Sequence, residues 1–293
     1  MSKKLYGLIL AFCLTGSFSL QAIDASVSYA TFGSPSGSYV EIYLYIVGST
    51  VTFQEAPADS SSLSAKVEVI ILFQQGEEII KFDKFFLNSP PTAEPVDFLD
   101  LKRYGLKDGE YTLSVSVSDG LSEGNARSFS QNISLSYPAG ELGQSDIELL
   151  EDVRMEDSEN PLCKNGVYMQ PLPFNFYHKN TSHLIFYTEV YYADQAIADD
   201  FMIRYTVDWI LGNDRSKTMI LGHKRLKPET VQPVLIQRDI SKLPSGNYKL
   251  TVEVRNRNNE LLSVKTIPFQ RSNPYLDITE SGVTDEDIRD AFV

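Results

Sequence analysis

The clearest pattern along the chain is an alternation of apolar and polar residues that is typical of β-strands. Between Phe201 and Trp209 every second residue is large and apolar. Arg204, Thr206 and Asp208 occupy positions between them. Because successive side chains of a strand point to opposite faces of a sheet, this period of two predicts a strand with one buried face.

Other runs of strand length are rich in β-branched and aromatic residues, which favour strands. These runs are Tyr39–Val47, Lys66–Phe73, Glu77–Phe86, Arg127–Leu135, His183–Val190 and Lys217–Arg225. Turn-forming residues separate them at 33–37, 75–76, 119–120 and 212–214. Since no amphipathic segments of helical length alternate with the runs, the sequence predicts all-β sandwiches and not βαβ units.

An internal repeat indicates two such sandwiches. The pattern Gly-x-Tyr-x-Leu-x-Val-x-Val occurs at Gly109–Val117 and again at Gly246–Val254. It resembles a late strand of immunoglobulin or fibronectin type III sandwiches, in which a corner tyrosine bonds to upstream backbone. Tyr111 and Tyr248 are therefore the predicted corner residues.

The repeat and the turn residues divide the chain into a first sandwich, a linker and a second sandwich. The predicted bounds are 25–137, 138–144 and 145–272, with Pro138-Ala139-Gly140 marking the junction. Ile147, Leu149 and Leu150 predict the first strand of the second sandwich. We expect the acid-rich residues that follow, up to Asn160, to form a loop.

The two ends of the chain carry different signals. A basic start, an apolar run at Leu5–Leu14 and small residues up to Ala22 predict a secretory signal peptide over residues 1–22. A buried N-terminal helix and a lipoprotein anchored at Cys13 are the alternatives. In the tail, 273–293, the segment after Thr284 predicts the start of a short helix, either a tail helix or the entrance to a further domain.

Composition narrows the classes of function. The chain of 293 residues has 26 basic and 39 acidic side chains, a formal net charge of −13. This balance argues against nucleic-acid binding, which needs a basic face. After signal cleavage no apolar segment is long enough to cross a membrane. We therefore expect an exported protein of the periplasm or cell surface, soluble or peripherally attached.

Clustered acids are the main candidates for metal chemistry. Asp146, Glu148, Glu151 and Asp152 lie close together in the sequence, and calcium takes clustered oxygen ligands. Their spacing matches no known calcium loop, so a solvated acidic face is the competing interpretation. Cys163 would stand alone after signal cleavage and has no histidine within ten residues.

No arrangement of residues predicts an enzyme. His178 and His183 are five residues apart, a spacing that does not match the usual zinc patterns. Gly33–Gly37 has a proline where a hydrolase nucleophile would stand, so we interpret it as a hairpin loop. We expect no catalytic residues, no cofactor and no firm metal site.

Several segments resemble bacterial GWxTD-domain proteins across most of the chain after the signal. They are Val27–Phe32, Tyr39–Leu44, Val47-Gly48, Ser145–Leu149, Lys164–Gly166, Phe269–Pro274 and Thr284–Asp287. The Gly-Trp-x-Thr-Asp segment itself is absent, since Ile and Leu follow the only tryptophan, Trp209. The resemblance implies an exported bacterial protein whose C-terminal GWxTD domain is missing from this chain, and it carries over no catalytic residues.

Three functions fit these observations. The first is a non-enzymatic binding or scaffold protein of the bacterial envelope, acting through protein–protein contacts. The second is an accessory region of a larger envelope enzyme or transport machine. The third is a carbohydrate-binding module with a glycan as partner. A cluster of aromatic residues could supply contact area, although we expect most of it in the core: Tyr168, Phe174, Phe176, Tyr177, Tyr187, Tyr191 and Tyr192.

Overall fold

A computed structural model of the chain describes residues 23–276 except 36, 57–58, 123–125, 157–158, 165 and 212–214. The predicted signal peptide and tail helix lie outside the described residues. Within them β-strands predominate, and the helical structure is limited to two 3-10 turns and one short helix, α1 (Ala193–Ala196). The prediction of an all-β sandwich fold is confirmed.

The first half of the chain builds two sheets around one core. Its strands are β1 (Ala25–Phe32), β2 (Tyr39–Ile46), β3 (Phe53–Ala56), β4 (Asp59–Gln75), β5 (Glu78–Asn88), β6 (Phe98–Gly105), β7 (Gly109–Asp119) and β8 (Arg127–Leu135). One sheet has the order β1-β2-β6, and the other has the order β3-β4-β7-β8 with β5 paired to β4. The core between them contains Val40, Ile42, Ile71, Phe73 and Leu113, all fully buried.

The second half also builds two sheets, of six and five strands, around a core. Its strands are β9 (Gly143–Gln144), β10 (Glu148–Met155), β11 (Cys163–Lys164), β12 (Val167–Pro171), β13 (Phe176–Tyr177), β14 (His183–Tyr191), β15 (Phe201–Ile210), β16 (Ser216–Leu226), β17 (Val231–Asp239), β18 (Gly246–Arg255) and β19 (Leu261–Arg271). One sheet has the order β11-β12-β10-β14-β17 with β9 on β14, and the other has the order β13-β19-β18-β15-β16. A separate core lies between these sheets.

Burial follows the alternation that the sequence shows. In β15 the apolar residues Phe201, Ile203, Tyr205, Val207 and Trp209 are all buried, and the residues between them are partly exposed. The predicted strand is therefore confirmed with its buried face as expected.

The acidic stretch differs from the expected loop. β10 runs on to Met155, so Glu151 and Asp152 lie on a strand and not in a loop. The strand extends because β12 pairs with it as far as Met155, with a register shift between Leu150 and Asp152. Exposed acids on one strand edge are tolerated because their side chains reach water.

Both corner tyrosines make the expected bonds to upstream backbone. The Tyr111 hydroxyl donates to the Lys107 carbonyl at 2.9 Å, and the Tyr248 hydroxyl donates to the Pro244 carbonyl at 2.8 Å. Each corner begins with a glycine at positive φ, +158° in the case of Gly246. The repeat in the sequence thus marks the same structural corner in each half.

Candidate functional site

Two sheets, one from each half, are covered on both faces because they pack against each other. We call this contact the seam. Its apolar part joins residues of β1, β2 and β6 to residues of β10, β12 and β14: Ala30, Phe32, Tyr43 and Leu101 on one side, and Leu150, Met169, Ile185 and Tyr187 on the other. The double coverage explains why β14 is buried from Leu184 through Tyr191 without alternation.

A fully buried carboxylate, Glu41 of β2, lies at the centre of the seam. One of its oxygens accepts a hydrogen bond from Arg103 Nε at 2.7 Å. The other lies 2.7 Å from Lys164 Nζ of the second half and accepts the Tyr43 hydroxyl at 2.5 Å. A buried charge is tolerated only with such partners, so Glu41 and Lys164 form an ionic link between the halves.

A second buried carboxylate, Glu148 of β10, competes for the same lysine. Its Oε2 lies 3.7 Å from Lys164 Nζ, whose ammonium also lies 3.8 Å from the centre of the Phe32 ring. Burial raises the pKa of Glu148 to about 7, with Lys164 opposing the rise and the charge of Glu41 adding to it. Burial would also raise the pKa of Glu41, but Lys164, Arg103 and Tyr43 hold it below its usual value.

Asp146 forms a second polar link across the seam. Its Oδ2 accepts bonds from the Thr31 amide at 3.0 Å and the Thr31 hydroxyl at 2.7 Å. Its Oδ1 accepts a bond from Lys265 Nζ at 2.8 Å. The side chain therefore connects β1 of the first half with β19 of the second.

A third buried acid, Glu189 of β14, orders the aromatic residues at the rim of the seam. Its two oxygens accept the hydroxyls of Tyr187 at 2.5 Å and of Tyr191 at 2.6 Å. Burial and the nearby Glu189 charge raise the pKa of Tyr191. The Tyr191 ring also meets Tyr137 edge-on, with centroids 5.4 Å apart. These contacts hold the two tyrosine side chains beside Glu189.

The seam is built to join the halves. Glu148 has a pKa suited to proton exchange near neutrality, but only 4% of its side chain is exposed. The buried charges link the two sheets.

The structure does not bring the four predicted calcium ligands together. Asp146 and Glu148 lie in the seam with protein cations beside them. Glu151 is exposed and accepts a bond from Gln170 at 2.8 Å, and Asp152 pairs with Arg154 at 2.8 Å. Across the residues that the structure describes, no group of three or more acids, histidines or cysteines could hold a metal.

The histidines and Cys163 occupy separate places. His178 packs its ring edge-on against Phe176 at 4.8 Å, while His183 bonds to Ser182 at 2.9 Å through Nδ1. His223 is exposed on β16, in the other sheet of the second half. Cys163 is half-buried on β11, beside the seam lysine.

Most of the aromatic cluster belongs to the interior, as expected. Tyr168, Tyr177, Tyr187 and Tyr191 are buried. Phe176 and Tyr192 are half-buried. Phe174 is 49% exposed, adopts φ 57° and meets Tyr45 edge-on, with ring centroids 5.8 Å apart.

Strand β5 carries several exposed apolar side chains along an edge of its sheet. Among the described residues β5 pairs only with β4, so its outer backbone edge is unpaired. Its exposed side chains include Ile79 at 57%, Phe82 at 58% and Phe86 at 49%. An unpaired strand edge presents free backbone N–H and C=O groups to which a strand of another chain can add.

Sequence reasoning identified β5 as a strand but missed its exposure. The signal was available, because Glu77–Phe86 lacks the strict alternation of a half-buried strand. Glu41 also had a signal, as the one charge within the apolar run Tyr39–Val47. The sequence around Lys164 contains no signal of this kind, because no pattern near it indicates a contact with Glu41.

Comparisons with known proteins give no family. No protein-family model and no curated protein matches the chain. A solved structure of red sea bream transglutaminase aligns with 85% of this chain at 8% identity and a TM-score of 0.25. The chain spans 31% of that transglutaminase chain. In the described residues no helix is long and apolar enough to span a membrane.

Proposed function

We propose that the chain is an exported, non-enzymatic binding or scaffold protein of a bacterial envelope that contacts a protein partner through strand β5. The observation that carries this proposal is the unpaired edge of β5 with its exposed apolar residues. Added strands gain affinity from backbone hydrogen bonds and specificity from alternate side chains. β5 offers both over Glu78–Asn88.

A protein partner fits this surface better than a glycan. Phe82 and Phe86 point to the same face of the sheet, an arrangement that sugar-binding surfaces also use. However, Lys66 Nζ lies 3.9 Å from the centre of the Phe86 ring and covers one of its faces. A sugar would have to displace that cation, whereas a strand added along the edge would not.

The seam supports a scaffold role. Glu41–Lys164 and Thr31–Asp146 connect the two halves, together with the apolar contact. A contact strand on a fixed support loses less entropy on binding than one on a mobile domain.

The test is site-specific photo-crosslinking of the full chain in intact envelopes. A photoreactive residue at position 82 should give an adduct with a protein. The matched control is position 221 on edge strand β16, where Leu221 is 62% exposed, and it should give none. The substitution Phe82→Lys should abolish capture from a photoreactive residue at position 86 without lowering stability, since Phe82 is exposed. Absence of any adduct at position 82 would contradict the proposal.

A further inference from the structure

We infer that the partner strand for β5 is β5 of a second copy of this chain, in an antiparallel register centred on Phe82. The inference rests on the proposed function, because it names the partner of the same edge. A twofold axis perpendicular to the sheet pairs an edge with itself antiparallel and closes the contact. Both free edges are then covered.

The charges of β5 select the register. Only registers centred on Phe82, Asp83 or Lys84 pair at least nine of the 11 residues of the strand. The Asp83 register sets two carboxylates opposite each other, and the Lys84 register sets two ammonium groups opposite each other. The Phe82 register pairs Lys81 with Asp83 twice and stacks Phe82 on Phe82. Opposite charges directly across a strand pair stabilise it, and like charges destabilise it.

A β-bulge in β5 fits the same register. Phe73 of β4 lies opposite Lys81 and Gln74 lies opposite Ile79, so Ile80 is the extra residue. Ile79 and Ile80 are both exposed, at 57% and 39%. In the Phe82 register Ile80 lies opposite Lys84 of the other copy, whose aliphatic stem covers it, and Ile79 lies opposite Phe85.

Asp83 and Lys81 keep their places without the second copy. The Tyr104 hydroxyl donates to Asp83 Oδ2 at 2.7 Å, and Lys81 Nζ lies 5.4 Å from the Tyr104 ring centre. Their side chains are thus held at the edge before association. Held side chains lose less rotamer entropy when the pair forms.

Charge reversal with rescue tests the inference by sedimentation equilibrium on the full chain. Wild type should be a dimer. Lys81→Asp alone and Asp83→Lys alone should each raise the dimer dissociation constant about 30-fold, because both strand pairs then carry like charges. The double variant should return to within about threefold of wild type. Melting temperatures of all four proteins show whether the fold is intact.

Cysteine cross-linking determines directly which residues of the two β5 strands lie opposite each other. In a chain with Cys13→Ser and Cys163→Ser, Phe82→Cys should form an intermolecular disulfide, and Lys84→Cys should not, because each residue 84 then lies opposite Ile80. Disulfide formation at position 84 in place of 82 would overturn the register.

The outcomes separate this inference from the proposed function. A chain that is monomeric at about 100 μM, well above the range of stable dimers, overturns the second copy as partner. If it still gives a photo-adduct at position 82 with a different protein, the proposed function stands. A dimer whose dissociation constant is unchanged by both single charge reversals overturns the β5 contact.

Discussion

Replacing Glu148 by Gln should stabilise the protein at alkaline pH and leave it unchanged at acidic pH. Glu148 has a pKa of about 7 in the folded chain against an ordinary value of 4.5. Between these values the folded state keeps a proton that the unfolded state has lost. Stability therefore falls as pH rises from about 4.5 to about 7, since the unfolded state binds fewer protons there.

The size of the effect follows from the difference in pKa. Each unit is worth about 1.4 kcal/mol, so ionising Glu148 in the seam costs about 3 kcal/mol once the pH exceeds 7. Gln resembles the protonated carboxyl in shape and charge and has no proton to lose. The variant should thus match wild type at pH 4.5 and exceed its free energy of unfolding by about 3 kcal/mol at pH 8.

Urea unfolding at several pH values between 4.5 and 8 measures this difference. Glu41→Gln is the matched control, because it should lower the free energy of unfolding where Glu148→Gln raises it. The folded pKa of Glu41 is lowered, so its charge stabilises the seam above the unfolded pKa and the benefit is lost as pH falls through the folded pKa. Its removal should destabilise by about 3–5 kcal/mol at neutral pH, because Lys164 loses its partner. A Glu148→Gln difference that does not change with pH would refute the reasoning.

Three further substitutions test the frame around the seam. Tyr248→Phe removes the 2.8 Å bond to the Pro244 carbonyl and should cost about 1–2 kcal/mol in urea unfolding. Gly246→Ala should cost more than about 2 kcal/mol, because a Cβ there would clash with Trp209 Nε1 and the backbone has φ +158°. Near-ultraviolet circular dichroism of the only tryptophan would show the displaced indole ring. Asp146→Ala should increase hydrogen exchange along β1 and β19 while leaving β7 and β18 protected, and unchanged exchange would show that this link is dispensable.

The strands could be predicted from the sequence because the alternation of apolar and polar residues in a half-buried strand shows which of its faces is buried. In β15 the alternation of Phe201–Ile210 reflects one face on a core and one face towards water. The corner tyrosines could be predicted because Tyr111 and Tyr248 bond to carbonyls only four residues upstream. These features are local, so local sequence carries them.

The seam could not be predicted because it depends on how the halves dock. The continuous apolar run in β14 indicates that both its faces are covered, but not by what. Glu41 meets Lys164 only when β2 and β11 come together, and no pattern in either strand records that pairing. The prediction of a loop at the acids of β10 was wrong for a related reason, because charged residues on an exposed strand have the composition of a loop.

Strand β6 connects the seam with the proposed contact strand. Because alternate side chains point to opposite faces, Arg103 reaches Glu41 in the seam while Tyr104 bonds to Asp83 of β5. Lys102, on the same face as Tyr104, lies 4.7 Å from the Phe85 ring of β5. Docking of the second half therefore fixes β6 through Arg103, and the opposite face of β6 holds β5 in place through Tyr104. The second half contributes to the proposed contact through β6, by keeping Lys81 and Asp83 where a partner strand requires them.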